Sequence, residues 1–155
     1  MPDTERLTTL TLAAAESLLK PLGFDYTLST AAYEDSIVLH IESTDASHLI
    51  GDEGDRLDDL QYLINRLVQA EWEEAPRVRV DCDHYRERAE EKILRRARSR
   101  AQRVLETGKP LLMEKLNAYQ RRLVHNALAE IPGIATASEE TDSRFKRITI
   151  SRVEA

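Results

Sequence analysis

Apolar residues return at helical spacing near the start of the chain. Leu7, Leu10, Ala14, Leu18 and Leu22 stand three or four positions apart, which marks one face of an amphipathic helix over residues 4–22. Thr4 is placed to cap its start, and the stretch Pro21 to Gly23 to end it. The period then drops to two. Residues 24–31 and 36–43 read as strands, and in the second Ile37, Leu39 and Ile41 alternate with Val38, His40 and Glu42. The link Ala32-Tyr33-Glu34-Asp35 is short enough for a hairpin. A helical turn over 45–50 leads into Gly51-Asp52-Glu53-Gly54. A longer helix over 55–71 is expected to bury Leu57, Leu60, Leu63, Ile64, Leu67 and Val68. Pro76 closes that segment, and Arg77 to Cys82 alternates as a strand with Val78, Val80 and Cys82 inward.

The second half carries the strongest helical pattern. Over 84–107, Tyr85, Ala89, Ile93, Ala97, Ala101 and Val104 form an apolar stripe. A basic stripe of Arg88, Lys92, Arg96, Arg100 and Arg103 runs beside it, and Gly108 ends the helix. Leu111-Leu112-Met113 reads as a short strand. Asn117 with Gln120 three residues later makes a capping box for a helix running to about Glu130. Pro132-Gly133 stops it. Residues 134–138 and 145–152 read as a closing hairpin with a polar tip between Glu139 and Ser143. There is no internal repeat.

Charge changes this picture more than composition does. The whole chain of 155 residues has a net charge of −6. Residues 1–83 carry 6 Lys+Arg against 18 Asp+Glu, whereas residues 84–155 carry 16 against 10. The contrast predicts two modules, 1–83 and 84–155, with different partners, and only the second attracts a polyanion. No apolar run approaches the roughly 18 residues a membrane crossing needs, and no secretory signal opens the chain. A single cysteine, Cys82, excludes an internal disulfide. A cytoplasmic protein is the expectation.

The first module resembles a KH domain of the bacterial type. The resemblance rests on Leu49-Ile50-Gly51-Asp52-Glu53-Gly54, followed by Leu57-Asp58-Asp59-Leu60-Gln61-Tyr62-Leu63. The second resembles the Arg-x-x-x-His domain through Leu116-Asn117-Ala118-Tyr119-Gln120-Arg121-Arg122-Leu123-Val124-His125, with Arg121 and His125 as the named pair. Ile131-Pro132-Gly133 and Arg144-Phe145-Lys146-Arg147-Ile148 fit the same pattern. Together the two modules resemble the Jag family of bacterial single-stranded nucleic-acid-binding proteins, over nearly the whole chain. Members often carry a further small N-terminal domain, which this sequence is expected to lack. The resemblance implies an α+β fold in which a KH-like α-β-β-α-α-β module joins, through a long helix, a small module with a three-stranded sheet. It also implies cytoplasmic RNA binding and a link to cell-envelope regulation.

A Gly-x-x-Gly turn lets backbone approach phosphates because glycine tolerates the dihedrals and blocks nothing, and the next helix adds its N-terminal dipole. Here the variable positions are Asp52 and Glu53, with Asp55, Asp58 and Asp59 behind them. At about 5 Å and an effective dielectric near 20, each carboxylate–phosphate contact costs about 3 kcal/mol before screening. That exceeds a dipole contribution of roughly 0.3–1 kcal/mol, so the turn is expected to bind nucleic acid weakly. The acids can equally be first-turn helix stabilisers, a metal-bridged phosphate site without calcium-loop spacing, or a partner surface.

Arg121 and His125 lie one helical turn apart and share a shoulder of their helix. Arg121 can fork two hydrogen bonds onto a phosphate. His125 can donate to a phosphate, stack on a base, orient Arg121 or pack at the core edge. Arg122, Arg144, Lys146 and Arg147 are expected to gather around the pair, with Arg152 near. Arg147 should point outward beside Ile148 and Ile150 of the core. Phe145 can stack a base or pack at a strand end. With 8 aromatic residues in all, binding should rest on phosphate neutralisation. Asp81, Cys82, Asp83 and His84 are adjacent, but strand alternation separates Cys82 from the aspartates, so no metal or cofactor is expected. His40 and His48 read as local structure, and Trp72 as a lid on the core.

The expected function is single-stranded RNA binding, with DNA as a competing ligand left open, through the second module and without enzymatic activity. The first module would be a scaffold, a surface for self-association or a protein docking site. The alternative is a protein-interaction adaptor with little nucleic-acid affinity. The double change Asp52→Lys with Glu53→Arg should raise RNA affinity in a titration at fixed salt, and an unchanged Kd would show that the acids do not limit binding.

Overall fold

The structure, a computed structural model, describes residues 2–153. Its elements run α1 (Pro2–Leu22), β1 (Thr27–Tyr33), β2 (Ser36–Glu42), α2 (Ala46–Ile50), a 3-10 turn (Asp52–Gly54), α3 (Asp55–Glu71), β3 (Arg79–Cys82), α4 (Tyr85–Thr107), β4 (Leu111–Leu112), α5 (Ala118–Ala129), β5 (Ile134–Ser138) and β6 (Ile148–Arg152). The fold is α+β, with two separate three-stranded sheets ordered β1-β2-β3 and β4-β6-β5. The chain forms two compact units, Met1–Arg86 and Glu87–Ala155. No helix among the described residues is long and apolar enough to cross a membrane.

In the first unit β2 is central, antiparallel to β1 and parallel to β3. Ile37, Leu39 and Ile41 of β2 and Val80 and Cys82 of β3 meet Leu7, Ala15 and Leu19 of α1 and Leu57, Ile64 and Val68 of α3 in one core. The observed helix α1 begins earlier than expected, so Thr4 lies inside it rather than at its cap. Its buried row includes Thr11, Ala15 and Leu19, while Leu22 is exposed. Small alanines at positions 14 and 15 turn this face toward the core, and Leu10 and Leu18 pack at its flanks.

The expected core of α3 needs a larger correction. Leu63 and Leu67 are 46% and 40% exposed, whereas Asn65 is 6% exposed. Asn65 Nδ2 donates to the Val78 carbonyl at 2.8 Å, and its Oδ1 accepts from the Val78 N–H at 2.8 Å. Gln61 Oε1 accepts from the Val80 N–H at 2.9 Å. Two amide side chains thus satisfy backbone groups at and just before β3, which has a strand partner on one side only. Hydrophobic periodicity misses this because a polar residue is buried for its hydrogen bonds.

Asp81, expected to face outward, is also buried. Its Oδ1 accepts from the Cys82 N–H at 2.8 Å and from the Arg86 N–H at 2.9 Å, near the start of α4. Burial, with Asp83 and Asp81 adding to it, pushes the Cys82 thiol up to about 12, so it stays a protonated core side chain. Among the described residues no group of three His, Cys, Asp or Glu is placed to hold a metal ion.

In the second unit, Ile93, Ala97, Ala101 and Val104 of α4 and Val124 and Leu128 of α5 pack on Ile134, Ile148 and Ile150 of the sheet. The capping box forms: Asn117 Oδ1 accepts from the Gln120 N–H at 2.9 Å, and Gln120 Oε1 accepts from the Asn117 N–H at 3.0 Å. The last strand is shorter than expected, since β6 starts at Ile148. Residues 145–147 reach toward the segment before α5 instead, through a bridge between Leu116 and Lys146. Replacing Asn65→Ala should cost about 2–4 kcal/mol in urea unfolding by orphaning both Val78 backbone groups; a loss under about 1 kcal/mol would show water replacing the amide.

Candidate nucleic-acid interface

Both named residues of α5 are committed to one end of the second sheet. Thr136 and Ser138 alternate with Ala135 and Ala137 along β5, so their hydroxyls share the face toward α5. His125 Nδ1 lies 2.6 Å from Thr136 Oγ1, and Nε2 lies 2.9 Å from Ser138 Oγ. A neutral imidazole donates from one nitrogen and accepts at the other, so the two hydroxyls satisfy it completely. Burial, and then the Arg121 charge, hold the His125 pKa below its ordinary value. The ring therefore fastens α5 to β5. Of the roles open to it, donation to a phosphate would require giving up one of these bonds. It makes no hydrogen bond to Arg121 among those of the described residues.

One turn earlier, Arg121 Nη1 donates to the Leu116 carbonyl at 2.7 Å and, at 3.4 Å, to the Arg144 carbonyl. Leu116 exchanges backbone hydrogen bonds with Lys146, at 2.8 and 3.0 Å. Arg121 thus ties the entrance of α5 to the segment entering β6. These contacts bring Arg121, Arg144 and Lys146 together as expected. The guanidinium retains Nε and Nη2 as further donors.

Arg122 and Arg147 occupy different surroundings. The Arg122 guanidinium lies 5.3 Å from the centre of the Tyr119 ring, one cation–π contact on the exposed side of α5. Arg147 is outward as expected, but it faces Glu139: Glu139 Oε1 is 4.0 Å from Arg147 Nε and accepts from the Arg147 N–H at 3.2 Å. That carboxylate lowers the local positive potential. Arg144 lies over the exposed Phe145 ring at 5.6 Å, so Phe145 is a surface ring rather than a packed strand end. Sequence reasoning missed the roles of Thr136, Ser138, Glu139 and Tyr119. The alternation of β5 offered a signal for the first two only.

The glycine turn has its own internal reasons. Gly51 has φ +74° and Gly54 φ +81°, and Glu53 between them has φ +50°. A Cβ on Gly51 would lie 2.7 Å from Arg56 Cγ and would also strike Asp55 Oδ1; one on Gly54 would lie 2.9 Å from Tyr85 Cε1. The turn therefore needs glycine for close packing and left-handed backbone, independently of any ligand. Asp52 and Glu53 are exposed. Burial raises the Tyr85 pKa, and Glu53, Asp58 and Asp52 push it the same way against Arg86. Arg86 holds Asp58 at 2.9 Å, leaving the carboxylates of the turn uncompensated by it.

The proximity of Arg121 should be readable in the titration of His125. Its folded pKa is depressed, so its stability contribution is complete above the unfolded value of about 6.5 and is lost as pH falls through the folded value. Arg121→Gln should raise the His125 pKa measured by NMR, and an unmoved titration would show that burial alone sets it.

Residues 87–152 match the family model of the Arg-x-x-x-His domain. Over 130 residues the chain is 30% identical to the RNA-binding protein KhpB of Clostridium symbiosum, covering 84% of this chain and 58% of that protein. It is 29% identical over 126 residues to RNA-binding protein KhpB of Lactiplantibacillus plantarum, covering 81% and 39%. The Streptococcus pneumoniae serotype 2 protein of the same name is 25% identical over 137 residues, covering 88% and 42%. The chain thus spans about two-fifths to three-fifths of the length of these curated relatives. Residues 87–152 are therefore an Arg-x-x-x-His domain, carried in a chain homologous to the Jag-family KhpB RNA-binding proteins.

Proposed function

We propose that this protein binds single-stranded RNA through the domain within residues 84–155. The observation that carries the reading is the Arg121 anchor, whose bonds to the Leu116 and Arg144 carbonyls gather Arg121, Arg144 and Lys146 beside one sheet end. The guanidiniums suit phosphates because each can present two parallel N–H groups. Arg122 and Arg147 flank the cluster, and His125 holds the helix that carries Arg121. The relatives' names supply RNA as the ligand. Selectivity for sequence is modest in this reading, because phosphate contacts position a strand without reading its bases. A cytoplasmic setting belongs to the same reading, since Cys82 is a buried free thiol that needs no oxidising compartment.

Residues 1–83 are, in this proposal, a KH-like domain with a weakened grip. The helix–strand order, the parallel pairing of β2 with β3 and the glycine turn between α2 and α3 support it. The exposed acids of the turn oppose a phosphate, leaving this unit as scaffold or docking element. A second reading, a protein-binding adaptor, draws on the exposed Tyr62, Leu63 and Leu67 of α3.

Arg121→Gln should weaken binding of a single-stranded RNA by roughly 10- to 100-fold, the loss of one charged hydrogen-bonding group. Arg144→Gln, at an exposed position, should weaken it without loss of the fold. The measurement is fluorescence anisotropy on the full chain, with circular dichroism to confirm folding. Wild-type affinity in both variants would refute the assignment, and absence of RNA binding by the wild type would favour the adaptor.

A further inference from the structure

The cationic face of α4 is not explained by the Arg121 cluster. Between Lys92 and Arg103 the helix carries six cations, Lys92, Arg95, Arg96, Arg98, Arg100 and Arg103, and no acid. Ile93, Ala97 and Ala101 hold the opposite side against the core. All six cations lie outside the buried set, and only Arg100 is partly covered. Lys92, Arg96, Arg100 and Arg103 follow one another at spacings of four, four and three, so they form one shoulder of the helix. Like charges at these spacings repel and weaken a helix. The sequence maintains that repulsion over three turns.

One contact orients this shoulder. Arg96 Nε lies 3.3 Å from Glu114 Oε1, two residues before Leu116, whose carbonyl holds Arg121. The cationic shoulder therefore borders the segment that carries the Arg121 anchor. We infer that this shoulder of α4 is a second phosphate-binding track, continuous with the Arg121 cluster, which takes the sugar–phosphate chain of a longer single-stranded RNA. The inference rests on the RNA-binding reading and extends it from a local grip to an extended one. From Lys92 to Arg103 the helix rises about 17 Å, roughly three turns. One phosphate per turn adds on the order of three contacts, each contributing about 0.7 to the slope of log K against log salt for a single strand. RNA is favoured over an acidic protein because five of the six cations are arginine and the track joins a cluster already suited to phosphates.

The test uses the full chain with Lys92→Gln, Arg100→Gln and Arg103→Gln combined, none of which the Arg121 cluster includes. Binding of oligouridine RNAs of about 6 and about 18 nucleotides is measured across a salt series. For the longer RNA the variant should bind at least about tenfold more weakly, with its salt slope reduced by about 2. For the short RNA it should stay within about twofold of wild type, and its melting temperature should be equal or higher because like-charge repulsion is relieved. An unchanged slope on the longer RNA, or equal losses on both lengths, would overturn the track while leaving the Arg121 site standing. Poly-glutamate displacing the longer RNA at equal charge concentration would assign the face to acidic protein and overturn it too. A wild-type chain that binds neither RNA ends the proposal together with the reading it rests on.

Discussion

Two hydroxyls on one strand hold the proposed interface in place. Thr136 and Ser138 meet both nitrogens of His125, and the neutral ring that this contact uses is the form that burial favours. Because Arg121 sits one turn away on the same rigid helix, the histidine decides where the arginine begins. The Leu116 and Arg144 carbonyls decide where it ends. A flexible cation is thereby converted into a positioned one, and the entropy of ordering it is met by the fold before any ligand arrives.

The two halves of the chain divide their electrostatics in opposite ways. In the first, a turn of the right shape for a phosphate carries exposed carboxylates, and its glycines are explained by packing against Arg56 and Tyr85. In the second, cations gather where the backbone of Leu116 and Lys146 is bridged. Glu139 tempers Arg147, and Tyr119 lies beneath Arg122. Shape alone would nominate the glycine turn as the binding element. Charge reverses that ranking, because several kcal/mol of repulsion cannot be met by a helix dipole of about 1 kcal/mol.

Periodicity identified every helix and nearly every strand, since a core face must repeat at 3.6 or 2 residues whatever its partner. It failed where burial served hydrogen bonding. Asn65 and Asp81 are inside because they satisfy backbone groups of Val78, Cys82 and Arg86, and Leu63 and Leu67 are outside although their apolar character placed them in. The last strand was overextended through 145–147 because alternation persists there while the pairing partner changes from β5 to Leu116.

By itself, the sequence determined the element order, the asymmetry of charge, the capping box at Asn117 and the shared shoulder of Arg121 and His125. All of these depend on neighbours within a few residues or on simple summation. Only the tertiary structure decided that His125 faces Thr136 and Ser138, that Arg121 grips the Leu116 and Arg144 carbonyls, and that Glu139 meets Arg147. Those partners lie 5 to 23 residues apart in the chain. Which distant donor meets which acceptor is set by the register of the sheet and the docking of α5, and neither is written in local spacing.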